Sequence, residues 1–175
     1  SEPFLGQVLS KWDRKRFHLA TKLPTWLAKS ASDAEDIFTR QLQRCRVDYF
    51  DFYLAHSITA EHYATFQASG AYQVLSHEKA KGRIRRLGFS FHDRPELLEK
   101  ILDDHQWDFV QLQLNYLDWD LQDAKRQYEI VTERGLPVIV MEPVRGGALA
   151  SLTPDACSVL EEAAPGKSAA SWALR

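Results

Sequence analysis

Residues 48–56 read DYFDFYLAH, a short apolar stretch that starts after an aspartate and ends in a histidine. Its last six residues, Asp51–His56, have the length and the aromatic content of a buried strand. Four further segments of this kind flank it, and they are Phe17–Lys22, Ile84–Ser90, Phe109–Gln113 and Pro137–Met141. The segments recur after roughly one strand and one helix of chain, about 30 residues. The sequence therefore predicts a repeated βα unit.

Signals for helices lie between these segments. Ser32 begins a capping box, and an apolar stripe of helical period follows it. Asp93 resembles a second helix cap, with Pro95 in the first turn. Gly82 and Gly135 stand where helices should end, just before the third and the fifth strand. Strands that alternate with helices in this way are expected to pair in parallel.

Two α/β architectures fit such a chain. A doubly wound sheet expects a glycine-rich turn of the form GxGxxG after the first strand, and the sequence has none. A (β/α)₈ barrel expects polar residues at the carboxyl ends of several strands. Such residues occur at or near five strand ends, and they are Lys22, His56, Ser90, Gln111 and Glu142. We therefore predict part of a (β/α)₈ TIM barrel, with about five of the eight parallel strands and their helices.

Composition narrows the classes of partner. The chain has 175 residues with a net charge of −2, and we take residues 1–175 as one domain. Because the charges are mixed along the chain, neither nucleic acid nor a membrane is an expected partner. Cys45 and Cys157 form no CxxC pair, so we predict no metal site and reduced thiols in a cytoplasmic protein.

Two strand ends carry residues with useful chemistry. Lys22 would place an ammonium at the barrel mouth, where it can lower the pKa of a neighbouring phenol. His56 could hydrogen-bond a carbonyl oxygen and stabilise the charge that develops on it. Taken singly, a surface lysine beyond a strand or a structural histidine bonded to a loop carbonyl explains each residue as well. Their spacing of one βα unit favours a shared site.

The sequence resembles the aldo-keto reductase family. The resemblance rests on five strings in order, HLATK, DYFDFYLAH, KGRIRRLGFS, FVQLQLNYLDW and VIVMEPVRGGAL, and it covers nearly the whole chain. It implies an NAD(P)H-dependent oxidoreductase that reduces aldehydes or ketones to alcohols by hydride transfer. The string GFSFH is similar to a branch whose members often carry an iron–sulfur C-terminal tail. Such a cluster is expected only in a longer parent protein, because no such tail is present in this sequence.

The resemblance also implies catalytic residues. Lys22 and His56 resemble the lysine and the histidine of the family's Asp-Tyr-Lys-His tetrad. The tetrad aspartate and the proton-donating tyrosine lie upstream of the segment that resembles SEPFLGQVL, the first residues of this chain. We therefore expect a central fragment of the barrel, truncated at both ends, which alone reduces carbonyl compounds little or not at all.

The expected cofactor is NADP(H), with NAD(H) as the alternative. The residues that resemble its binding site are Ser90 and Gln111 for the nicotinamide carboxamide, Met141 for the ring, and Pro143, Val144 and Gly146 for the pyrophosphate. Phe91 stands where the family usually has asparagine, so one carboxamide contact is expected to be absent. Trp26 resembles a wall of the pocket for a small-molecule carbonyl substrate. Each of these residues also has a structural alternative. Met141 could fill the core, the segment with Pro143, Val144 and Gly146 could be a plain glycine-rich loop, and Trp26 could cover the top of the barrel.

Two other functions remain open at this point. One is a non-catalytic, cofactor-sensing or cofactor-binding subunit of the same fold. The other is a hydrolase or lyase built on a (β/α)₈ barrel, which needs paired carboxylates or a metal set at the strand ends. Only Glu142 stands at such a place.

Overall fold

A computed structural model describes all 175 residues. Five parallel strands form one sheet in the order of the chain. Their bounds are β1 Ala20–Pro24, β2 Phe50–Ile58, β3 Ile84–Phe91, β4 Phe109–Gln113 and β5 Val138–Met141. The parallel pairing and the sequential order confirm the predicted part of a barrel.

Nine α-helices connect or flank the strands. Their bounds are α1 Glu2–Leu9, α2 Ala31–Cys45, α3 Ala60–Ser69, α4 Ala71–Ala80, α5 Pro95–Asp104, α6 Asp118–Leu121, α7 Ala124–Glu133, α8 Pro154–Ala163 and α9 Ala169–Ala173. Two 3₁₀ segments cover Arg14–Arg16 and Arg145–Ala150. None of the helices is both long and apolar enough to cross a membrane.

The first two strands extend further than the sequence predicts. Lys22 lies in the middle of β1 and not at its end, because pairing continues to Pro24. His56 likewise lies two residues before the end of β2, which shows a register shift between Ala55 and Ile58. A bulge of this kind re-aims side chains near a strand end.

The helix starts differ from the prediction in detail. Helix α2 is capped by Ser30, whose hydroxyl accepts a hydrogen bond from the Asp33 amide at 3.1 Å. Ser32 lies inside the helix and caps nothing. Arg94 holds the cap position of α5, while Asp93 accepts a hydrogen bond from the amide of Ala60 at 2.7 Å. Local sequence cannot show this second role, because it depends on the neighbouring βα unit.

The two faces of the sheet have different surroundings. The hydrophobic core is a cluster of 27 buried residues, and the helices pack over one face of the sheet around it. Along every strand, residues that point to the core alternate with residues that point to the opposite face, which we call the inner face. Gly88 lies on the inner face, where an added Cβ would stand 2.5 Å from the Phe109 carbonyl oxygen. The glycine therefore allows β3 and β4 to approach closely at the floor of this face.

Candidate active site

Strand register brings the predicted catalytic residues to one face. Lys22 pairs with Leu54, and Pro24, two residues further along β1, pairs with His56. Residues paired across parallel strands point to the same side, and every second residue of a strand does so too. Lys22 and His56 therefore both lie on the inner face, on adjacent strands, as the sequence predicts.

The same reasoning extends across the sheet. Leu54 pairs with Gly88, which places Ser90, two residues on, toward the inner face. Ser90 pairs with Gln111, and Gln113, two residues beyond Gln111, pairs with Met141. The inner face thus carries five of the predicted site residues, namely Lys22, His56, Ser90, Gln111 and Met141.

Lys22 forms a hydrogen bond with a residue of β4, a strand that does not pair with β1. Its Nζ donates a hydrogen bond to Gln111 Oε1 over 2.6 Å, so the side chains of β1 and β4 meet over β2 and β3. Burial lowers the pKa of Lys22 from its ordinary value. Gln111 accepts this bond through its oxygen, which leaves the amide nitrogen available to another acceptor.

His56 lies among basic and aromatic groups. Its pKa is lowered by burial first, and then by the charges of Lys22, His92 and His62. The ring of Trp26 lies 5.3 Å from the His56 ring, centroid to centroid. A neutral imidazole near neutral pH can donate one hydrogen bond and accept one.

Two of these histidines were not predicted as site residues. His62 stands in the first turn of α3, where its Nδ1 lies 2.6 Å from the Ser57 carbonyl oxygen and its ring is 5.2 Å from that of Trp26. His92 follows β3 directly, and burial followed by the charge of Lys22 lowers its pKa. The short connection after β2 is a sequence signal for His62, since it places the first turn of α3 at the strand end.

Ser90 has a fixed environment. It is fully buried, and its Oγ accepts a hydrogen bond from the Ser57 amide at 2.8 Å. The Ser57 backbone has φ +55, an uncommon value for a residue other than glycine. Because the oxygen is used as an acceptor, the hydroxyl proton remains free to donate.

The predicted pyrophosphate segment forms a tight turn after β5. Four residues in it have left-handed backbone values, namely Glu142, Arg145, Gly146 and Gly147. Val144 holds the cap position before the 3₁₀ segment, and its carbonyl accepts hydrogen bonds from the amides of Gly147 and Leu149. Pro143, Val144 and Gly146 are therefore adjacent to one another and follow Met141 at the end of β5.

A cavity of about 630 Å³ lies elsewhere, on the outer side of β5. Val140 contributes to it and pairs with Leu112, a core-face residue, so the cavity is on the opposite side from Lys22. Mainly apolar side chains line it, among them Trp119 and Trp172. None of the predicted catalytic residues takes part in it.

Comparison with known proteins identifies the family of the chain. The profile of the Aldo/keto reductase family matches residues 1–164. The chain belongs to the aldo/keto reductase family.

Solved aldo-keto reductases show the same fold. The holo form of an aldo-keto reductase from Bacillus halodurans superposes with a TM-score of 0.78 at 24% identity, over 99% of this chain and 62% of that one. An aldo/keto reductase from Brucella melitensis gives 0.71 at 21% identity, over 97% and 62%. One from Klebsiella pneumoniae, solved with NADP and acetate, gives 0.68 at 20% identity, over 97% and 58%.

The chain thus spans about three fifths of the length of the solved aldo-keto reductases that it matches. At these identities the likeness establishes the fold, and the family itself rests on the profile match. No curated protein gave a significant match to the sequence.

Proposed function

We propose that this aldo-keto reductase chain carries the lysine–histidine half of an active site that reduces aldehydes or ketones with NADPH, NADH being the alternative. The observation that supports it is the hydrogen bond from Lys22 to Gln111, with His56 on the same face and the adjacent strand. It connects a candidate catalytic residue directly to a candidate cofactor residue.

The polar groups present fit a nicotinamide cofactor. The Ser90 hydroxyl proton and the Gln111 amide nitrogen are a donor pair on neighbouring strands, at paired register positions. A carboxamide can use both, since its oxygen accepts hydrogen bonds. Met141 offers a polarizable thioether to a ring face, and Pro143, Val144 and Gly146 form the turn beyond it.

The bound nicotinamide would supply the hydride for the reduction. His56 would then donate a hydrogen bond to the carbonyl oxygen and stabilise the negative charge that builds there. Lys22 would hold positive charge beside this oxygen and keep the proton donor of the reaction acidic. Trp26, 5.3 Å from His56, would close one wall of the substrate pocket.

Activity in the gene product that contains this sequence tests the proposal. We expect it to oxidise NADPH in the presence of small aldehydes. The loss of NADPH absorbance measures this reaction. His56→Ala should lower kcat by about 10²–10³-fold, because it removes a group that acts on the developing charge, and should change the Kd of NADPH little. Lys22→Met should do the same.

Matched variants on the protein surface serve as controls. Lys29→Met and His77→Ala change the same residue types at exposed positions and should leave kcat unchanged. A gene product that binds NADPH but reduces no aldehyde or ketone would favour the cofactor-sensing subunit. The cytoplasmic location and an iron–sulfur tail in the parent protein are further predictions of the sequence.

A further inference from the structure

The main chain just after His56 is not held by the usual strand pairing. Pairing between β2 and β3 shifts register between Ala55 and Ile58, and Ser57 pairs with no residue of either neighbouring strand. Ser57 also has a left-handed backbone, with φ +55, which costs free energy in a residue other than glycine. Peptide groups at such a bulge need other hydrogen-bond partners, because polar groups left unpaired inside a protein destabilise the fold.

Three side chains supply these partners, from the end of β1, from β3 and from α3. The Thr25 hydroxyl donates a hydrogen bond to the His56 carbonyl oxygen at 2.9 Å. The Ser57 amide donates to Ser90 Oγ at 2.8 Å. The Ser57 carbonyl oxygen lies 2.6 Å from His62 Nδ1, and because a carbonyl oxygen can only accept, Nδ1 is the donor. Side chains therefore replace the ladder hydrogen bonds around the bulge.

The imidazole of His62 is not needed to start its own helix. The Thr59 hydroxyl accepts a hydrogen bond from the His62 amide at 3.3 Å and caps α3. Asp93 Oδ2 accepts another from the Ala60 amide at 2.7 Å. The backbone of this first turn is thus fixed without the ring, so the bond from the ring to the end of β2 is a separate role of the side chain.

Trp26 connects the two outer contacts. It follows the fully buried Thr25 directly in the chain. Its ring lies 5.3 Å from that of His56 and 5.2 Å from that of His62, centroid to centroid. The indole therefore packs between the two imidazoles, and a shift of either ring would be felt at the tryptophan.

We propose that Thr25 and His62 are positioning residues for His56, and that they hold the bulge which aims its imidazole at the inner face. This inference rests on the function proposed above and adds two residues to it. Both act through the main chain, with no contact to substrate or cofactor of their own. Loss of either bond lets the bulge relax toward a backbone that Ser57 prefers, and the His56 ring then leaves its place.

Steady-state kinetics of the gene product that contains this sequence test the inference. His62→Ala and Thr25→Val should each lower kcat for a small aldehyde by about ten- to a hundredfold, because displacing a reacting group by about 1 Å can cost as much. The Kd of NADPH should change little. His62→Asn should restore most of kcat, since the asparagine amide nitrogen can donate from the place of Nδ1. Thr25→Ser should do the same, because serine keeps the hydroxyl.

The titration of His56, measured by NMR of its ring protons, gives a readout that needs no turnover. Thr25→Val changes no charge, so a shift of the titration in this variant reports a displaced ring. We expect the shift to be toward higher pH, because the ring loses part of the burial and of the proximity to Lys22 that lower its pKa. Thr25→Ser should titrate as wild type does. A loss of stability alone would lower the melting temperature and leave the titration in place.

The matched controls are Thr65→Val and His77→Ala. Thr65 is a threonine of α3 whose hydroxyl donates to the Glu61 carbonyl oxygen within the helix, and His77 is an exposed histidine. Neither variant should change kcat or the titration. If Thr25→Val fails to fold, the comparison of His62→Ala with His62→Asn decides the question, since that side chain is only half-buried.

Failure of this inference differs from failure of the proposed function. Wild-type kcat together with an unshifted His56 titration in both His62→Ala and Thr25→Val overturns the inference and leaves the proposed function standing. A wild-type protein that reduces no aldehyde or ketone, while Thr25→Val still shifts the His56 titration, overturns the proposed function and supports the positioning of His56.

Discussion

Among single residues, His56 provides the most direct probe of the inner face. Burial and the charge of Lys22 lower its pKa, so removing that charge should raise the pKa toward the ordinary histidine value. We expect Lys22→Met to shift the titration of His56 to higher pH. NMR of the imidazole ring protons measures this titration. Lys29→Met removes the same charge at an exposed site and should not shift it. An unchanged titration in Lys22→Met would place the two side chains apart.

Asp51 is a buried carboxylate that joins three parts of the chain at the start of β2. It accepts hydrogen bonds from Arg14 at 2.6 Å, from the Leu19 amide at 2.9 Å and from Arg85 at 3.0 Å. Burial raises its pKa, but hydrogen bonds from the Leu19 amide, Arg14 and His18, together with the charge of Arg14, outweigh burial and lower it below the ordinary value. The negative form is therefore the one that stabilises the fold.

Asp51→Asn should accordingly lower the free energy of unfolding at neutral pH by about 3 kcal/mol, the cost of removing one partner of a buried ion pair. Because the folded-state pKa is lowered, this stabilisation is present above the ordinary carboxyl pKa and is lost as pH falls through the folded pKa. Urea unfolding at several pH values should show the two proteins converging in acid. Asp48→Asn, at an exposed position three residues earlier, should differ little from wild type at any pH.

At the scale of one helix, two serines distinguish the observed start of α2 from the predicted one. Ser30→Ala removes the hydrogen bond to the Asp33 amide and should cost about 1 kcal/mol of stability. Ser32→Ala, inside the helix, should be neutral or slightly stabilising because alanine favours helices. Chemical denaturation of both variants measures this. A larger loss of stability in Ser32→Ala than in Ser30→Ala would show that Ser32 is the cap, as the capping-box pattern predicts.

The elements that the sequence predicts best are those with a strong local pattern. Strand β4 was predicted with its observed bounds, because the strand-forming run Phe109–Gln113 begins directly after the charged Asp108. The end of β2 was predicted at His56 but lies at Ile58, because pairing past His56 depends on partners in the neighbouring strands. The single helix expected before Gly82 is two helices, α3 and α4, which meet at Gly70 with φ +71.

The candidate site follows the same division. Lys22 and His56 could be predicted because parallel strands bring residues one βα unit apart to one face. The contact between Lys22 and Gln111 could not, since it depends on how strongly the sheet curves.

Across the whole molecule, burial is unevenly distributed. Strand β2 and most of β3 are buried or half-buried, whereas β5 is at most half-buried and α8 has no buried residue. Amide protons exchange slowly where opening exposes much apolar surface. We therefore expect hydrogen–deuterium exchange to be slowest in β2 and β3 and fastest in α8. Equal protection of α8 and β3 would contradict this distribution.

The hydrogen bond between Lys22 and Gln111 also has a consequence for the order of folding. It joins residues 89 apart in the chain, and it can close only when the two intervening strands are in place. Contacts that close such long loops form late, because the chain entropy is lost before the contact rewards it. We therefore expect a nascent chain that has emerged only as far as β3 to contain Lys22, His56 and Ser90 without the contact between Lys22 and Gln111. Only after β4 has been synthesised can Lys22 and Gln111 form the contact on which the proposed function rests.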